Sequence, residues 1–118
     1  MKKFCVISTR APYASTAVRD ALETLLAAAS CDLQGTLLAL GDGVFQLLAN
    51  QNPENVAQKN TGAMLGLLPL YGIDRVYACE EDIKERGLDG CPMAGQIQRI
   101  PRKEIAQLLA QQHWVLNF

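Results

Sequence analysis

The run Phe4-Cys5-Val6-Ile7-Ser8 offers no polar face. A strand with one side in water alternates apolar and polar residues. A short run that does not alternate fits a strand covered on both sides, as in a parallel sheet flanked by helices. That run commits the chain to a layered α/β architecture, provided helical segments alternate with further strands. They do. Ser15 or Thr16 can cap a helix in which Val18, Ala21, Leu22, Leu25 and Leu26 share one face and Arg19, Asp20 and Glu23 the other. This helix runs out near Ser30, with Cys31-Asp32 as its exit. Leu33 to Leu40 reads as a second strand, Arg75 to Cys79 as a third that turns directly into a helix ended by Gly87, and Gln96 to Ile100 as a short fourth. Pro101 suits the first turn of a helix burying Ile105, Leu108 and Leu109 and ending near Gln112. His113 to Phe118 closes the chain as a strand. The expectation is a single three-layer α/β/α domain over residues 1–118, with a mostly parallel sheet.

The middle of the chain is greasier than this frame requires. Val44-Phe45-Gln46-Leu47-Leu48 reads as a short apolar helix or turn, and Ala49 to Pro53 as an exposed loop. A helix from about Glu54 or Ala57 to Leu70, broken late by Pro69, is apolar on every side over Met64–Tyr71. The sheet can cover only one face of such a helix. With Val44, Phe45, Leu47 and Leu48 added, the segment predicts more apolar surface than a small monomer displays, and hence an obligate partner surface. The opposing reading buries all of it internally around Pro69.

Charge and cysteine usage exclude several classes. A net charge of −1 leaves no basic footprint for direct nucleic-acid binding. The Arg99, Arg102, Lys103 cluster reads as a solvated face at a helix start. No stretch approaches the ~20 apolar residues of a membrane-spanning helix, and no signal peptide is visible. The four cysteines, Cys5, Cys31, Cys79 and Cys91, form no C-x-x-C pair, and His113 is the one histidine, so no metal site is expected. Reduced thiols in a cytoplasmic protein follow. Gly41-Asp42-Gly43 resembles the start of a dinucleotide-binding turn, but Gln46 stands where its last glycine belongs, so a plain turn is expected. The hydroxyl-bearing loop Ser8–Thr16 could cradle a phosphate as flavodoxin-like folds do, though it has no glycine for close approach. A flavodoxin-like cofactor binder is thus the competing class; otherwise no cofactor is expected.

Cys79 is the candidate for chemistry. It stands where a strand hands over to a helix, the rim at which α/β sheets gather ligands. A helix start favours thiolate by roughly 0.3–1 kcal/mol. Glu80, Glu81 and Asp82 follow at once, and each opposes thiolate by a few tenths to ~1 kcal/mol. The expectation is a mostly neutral thiol at pH 7, at a position suited to reactivity. Cys91, twelve residues on, is a second thiol that could resolve a persulfide or disulfide on Cys79, and His113 opens the last strand.

Taken together, several blocks resemble a known family. They are Ser8-Thr9 with Ala11-Pro12; Arg19, Leu22 and Leu25-Leu26-Ala27; Asp42-Gly43-Val44-Phe45-Gln46-Leu47-Leu48; Tyr71 with Ile73; Cys79 with Glu85-Arg86-Gly87-Leu88; and Val115-Leu116 with Phe118. In order and spacing they are similar to the DsrF-like, TusC-type subunits of the DsrE/DsrF/DsrH sulfur-relay family, across nearly the whole chain. The resemblance implies a five-stranded α/β/α domain that assembles with TusB-like and TusD-like paralogues into a heterohexamer. Such a complex takes persulfide sulfur from an upstream carrier and passes it toward 2-thiolation of the wobble uridine in tRNA. A dissimilatory sulfur-oxidation complex is the alternative setting. In the family the sulfur-carrying cysteine belongs to the TusD-like subunit, at the strand end that Cys79 occupies here. Glu80-Glu81-Asp82 replace the small apolar residues that suit an exposed reactive thiol. A mainly structural subunit, part of a sulfurtransferase complex without its own catalytic cysteine, is therefore expected; a direct persulfide carrier through Cys79 is the alternative.

Overall fold

A computed structural model describes residues 2–11, 16–48, 65–93 and 97–118. The elements run β1 (Lys3–Ser8), α1 (Ala17–Ser30), β2 (Gln34–Ala39), a 3₁₀ segment (Gly41–Leu47), a second 3₁₀ turn (Leu68–Tyr71), β3 (Arg75–Cys79), α2 (Glu80–Glu85), β4 (Gln98–Ile100), α3 (Arg102–Ala110) and β5 (Trp114–Asn117). One five-stranded sheet has the order β4-β3-β2-β1-β5, and every pairing within it is parallel. The expected architecture is therefore present. The loop Ala49–Pro53, most of the helix expected from Glu54 or Ala57 to Leu70, and Gln96 at the start of the fourth strand lie outside the described residues.

The two-residue period of each strand sorts side chains onto two layers. Phe4 and Val6, Leu37 and Ala39, and Val76 and Ala78 meet Val18, Ala21, Leu22 and Leu25 of α1 in the larger core. On the opposite face Cys5, Ile7, Leu38 and Cys79 pack against Ile105 of α3, with Leu108 and Leu109 half-buried beside them. At a typical 1.5–3 kcal/mol per buried aliphatic side chain, burial on both faces is what makes the non-alternating β1 run favourable.

The Val44–Leu48 segment corrects the sequence reading. Val44 and Leu47 have no exposed surface and Gln46 is buried with them, while Phe45 and Leu48 pack half-buried against the same core. This segment fills the α1-side layer instead of offering a partner surface. It can do so because Gly43 lies hard against the end of β1: a Cβ there would stand 2.0 Å from the Ser8 carbonyl oxygen. Gln46 Nε2 then donates to both Ser8 Oγ and the Gly43 carbonyl, each at 2.8 Å. The G-x-G element is a turn, as its incomplete pattern predicts.

Apolar exposure lies elsewhere. Leu67, Leu70 and Tyr71 remain exposed beside buried Leu68, so part of the expected Met64–Tyr71 surface is present among the described residues. Edge strand β5 adds Trp114, Val115 and Leu116, each 40–49 % exposed, a feature the terminal apolar run did not foretell. An end-of-chain strand looks the same in sequence whether it is covered or at an edge.

Candidate functional site

β3 delivers Cys79 to its carboxyl end, and α2 begins at the next residue, so Cys79 is the N-cap residue of that helix. Register places Cys79 beside Ile100 of β4, and the side chain turns to the α3 face among Cys5, Ile7 and Leu38. It has no exposed surface. Burial raises its pKa above the ordinary thiol value; the Asp82 and Glu81 main-chain N–H groups at the helix start oppose that rise, and the Asp82 carboxylate adds to it. The neutral thiol expected from sequence is thus supported with a different leading cause. Desolvation dominates, and the acidic neighbours come second.

Those neighbours are also less bare than the sequence implied. Glu80 accepts a two-pronged pair from Arg99, with Nε at 2.6 Å and Nη2 at 2.9 Å, and Arg99 also pairs with Asp89. Glu81 Oε1 accepts the Arg102 main-chain N–H at 2.9 Å and lies 3.8 Å from the Cys79 sulfur, positioned to take the thiol hydrogen. Asp82 is shared: its Oδ2 accepts the Gly41 N–H at 2.7 Å, its Oδ1 accepts Arg102 Nη2 at 2.7 Å. Arg86 bridges back to Asp42 at 2.9 Å. Arg99 and Arg102 are therefore counter-ions that join α2 to β4 and α3, which corrects their reading as a solvated face; Lys103 is exposed.

The titration behaviour follows from these contacts. The Arg99 guanidinium holds Glu80 and Asp89 below the usual carboxylate range, and the Arg102 N–H does the same for Glu81. At Asp82 partial burial pushes upward, but the Gly41 N–H and the Arg102 guanidinium prevail and the carboxyl is lowered. The hydrogen bond that Arg102 donates to the Asp82 carboxylate raises the Arg102 pKa in turn. One signal for this network was available in the sequence. The acidic run Glu80-Glu81-Asp82 needs cations, and residues 99–103 hold the one basic cluster.

The remaining candidates are dispersed. Cys5 is buried in mid-strand and its thiol is pushed up to about 11 by desolvation. Cys31 and Cys91 are exposed, and none of the four thiols is in a disulfide. His113 is exposed, with Nδ1 accepting the Lys3 N–H at 2.9 Å. In the Ser8–Thr16 loop, Thr9 spends both its N–H and its hydroxyl on the Phe118 main-chain oxygen, at 3.1 and 2.8 Å; residues 12–15 lie outside the described ones. Among the described residues no cluster of His, Cys, Asp and Glu side chains is placed to hold a metal ion, and no helix is long and apolar enough to cross a membrane.

Comparison with known proteins agrees with this layout. A "Protein TusC homolog" from Vibrio parahaemolyticus is 32% identical over 118 residues, which is the full length of both chains. The crystal structure of the ychN protein from E. coli superposes with a TM-score of 0.89 at 25% identity, again covering all of both chains. The DsrE/DsrF-like family matches residues 2–118. This chain belongs to the DsrE/DsrF-like family.

Proposed function

We propose that this chain is a sulfur-relay subunit of a TusBCD-like complex, acting as a single cytoplasmic domain that is mainly structural within the assembly. The observation that carries the reading is the state of Cys79: a thiol at the end of β3, the position at which the resemblance implies the sulfur carrier of TusD-like subunits, with no exposed surface and a raised pKa. A persulfide donor cannot reach a sulfur without accessible surface, and the thiolate is the nucleophile in such transfers. The complex as a whole would accept persulfide sulfur from an upstream carrier and hand it on toward 2-thiolation of wobble uridine in tRNA. Its partners would be TusB-like and TusD-like paralogues in a heterohexamer. The exposed apolar residues Leu67, Leu70 and Tyr71, together with the Trp114–Leu116 edge, support a role as a contact surface for such partners.

The test is to express the chain alone and with both paralogues. Co-purification with them at fixed stoichiometry is expected, with 2-thiouridine lost when the chain is deleted and restored by a Cys79→Ser variant. A stable monomer with no affinity for either paralogue would overturn the reading. The direct-carrier alternative draws on one observation, the Glu81 and Asp82 N–H groups aimed at the sulfur. A mass gain of one sulfur on Cys79 after treatment with a persulfide donor, and failure of Cys79→Ser to restore thiolation, would favour it.

A further inference from the structure

The short helix α2 is fastened to the rest of the molecule in two different ways. Its one buried side chain, Ile83, enters the core on the α1 face. Toward α3 and β4 it presents no apolar side chain. There the attachment is polar: Asp82 and Glu85 pair with the Arg102 guanidinium and Glu80 with Arg99, while Glu81 accepts the Arg102 main-chain N–H, a bond that does not depend on that side chain. Cys79 adjoins this seam, with Glu81 Oε1 3.8 Å from its sulfur; the rest of its side chain packs among Cys5, Ile7, Leu38 and Ile105, and it is fully occluded. Ion pairs are what a seam of this kind can break locally. Half of the Arg102 side chain is exposed, so salt and competing charges reach it, whereas the strand pairing of Cys79 with Ile100 is main-chain and independent of that side chain.

We propose that Arg102 is a latch between α2 and the start of α3, and that releasing it opens the seam and uncovers the Cys79 sulfur while the sheet stays folded. The inference stands apart from the relay reading, since it concerns access to the thiol and not what the thiol receives. Arg102 here is a positioning residue. It also lies close enough to the sulfur for its charge to favour thiolate, and that contribution has the opposite consequence. If charge were all that mattered, removing Arg102 would make Cys79 less reactive. If Arg102 is the latch, removing it makes Cys79 more reactive.

The four thiols let one protein report on itself. Exposed Cys31 and Cys91 calibrate the reagent, and buried Cys5 reports loss of the sheet. The experiment is pulse alkylation of the whole chain with iodoacetamide, each cysteine followed by peptide mass spectrometry, for wild type, Arg102→Ala and Arg102→Lys. The Cys79 rate is expected to rise about fivefold in Arg102→Ala, the most that a single exposed charge pair biases an equilibrium, and by less in Arg102→Lys. In the wild type, raising salt to about 1 M, where screening acts within ~3 Å, should move Cys79 in the same direction. Cys5 and Cys31 should not change. A Cys79 rate that is unchanged or lower in Arg102→Ala would overturn the proposal. So would a rise at Cys5 in step with Cys79, because the contact would then hold the whole domain. Should Arg102→Ala fail to fold, the lysine variant and the salt series decide on the same criteria.

Discussion

Two strand ends of the same parallel sheet are closed by different chemistry. At the end of β1, backbone meets backbone: Gly43 lies against the Ser8 carbonyl, and buried Gln46 joins Ser8 to Gly43 through neutral hydrogen bonds. At the end of β3, charged side chains do the closing, with Arg99 and Arg102 gripping the carboxylates of α2 above Cys79. Neutral, desolvated contacts are indifferent to salt and to pH near neutrality. Exposed ion pairs are not, and each is worth little on its own. One end is a fixed joint and the other is adjustable, and the adjustable one lies beside the Cys79 thiol.

The comparison can be broken in order of expected effect. Gly43→Ala should be the most damaging change at the fixed end, because a methyl group would meet backbone that cannot swing aside. About 3 kcal/mol or more of stability should disappear from a denaturant titration, equally at low and high salt. Gln46→Ala, which removes buried hydrogen bonds and leaves a cavity, should cost about 2 kcal/mol by the same measurement, again without salt dependence. A salt-dependent loss for either variant would mean that the two ends are coupled and not separate.

At the adjustable end, Arg99→Ala should cost about 1 kcal/mol, since Arg99 and Glu80 are each roughly a quarter exposed and solvent screens the pair. High salt should shrink that difference; a loss as large as that of Gly43→Ala would sink the distinction. Acid offers the gentlest probe. Glu80, Glu81, Asp82 and Asp89 all have folded pKa values below their ordinary 4.5 or 3.8. Their contribution is therefore complete above those ordinary values and is lost as pH falls through the lowered ones. Unfolding midpoints measured from pH 6 downward should fall below about pH 4.5, and the Arg99→Ala, Arg102→Ala double variant should show a shallower fall. Parallel curves for the two proteins would place the acid sensitivity elsewhere.

Much of this was legible in the residues. The uninterrupted Phe4–Ser8 run required cover on both faces, and the helical spacing of Val18, Ala21, Leu22 and Leu25 named the side chains that supply it on one of them. Cys79 was legible as the last residue of a strand followed directly by a helix. Val44–Leu48 was misread because a run of apolar residues states that burial is needed without stating where. The Gly43 contact that turns the run inward joins residues 35 positions apart (43 minus 8). Arg99 and Arg102 were misread for the same reason: local spacing cannot assign a partner 19 or 20 positions away. The exposed face of β5 followed from strand order, which places the last strand outside β1.

What the sequence determined by itself was the set of elements and which side of each must be dry, because those depend on periodicities of two and of about 3.6 residues within a few turns of chain. Only the tertiary structure decided that Cys79 is sealed, what seals it, and which strand is left at the edge. Those outcomes depend on desolvation and on pairing between distant residues. Neither exists until the sheet has brought β3, β4 and α3 side by side.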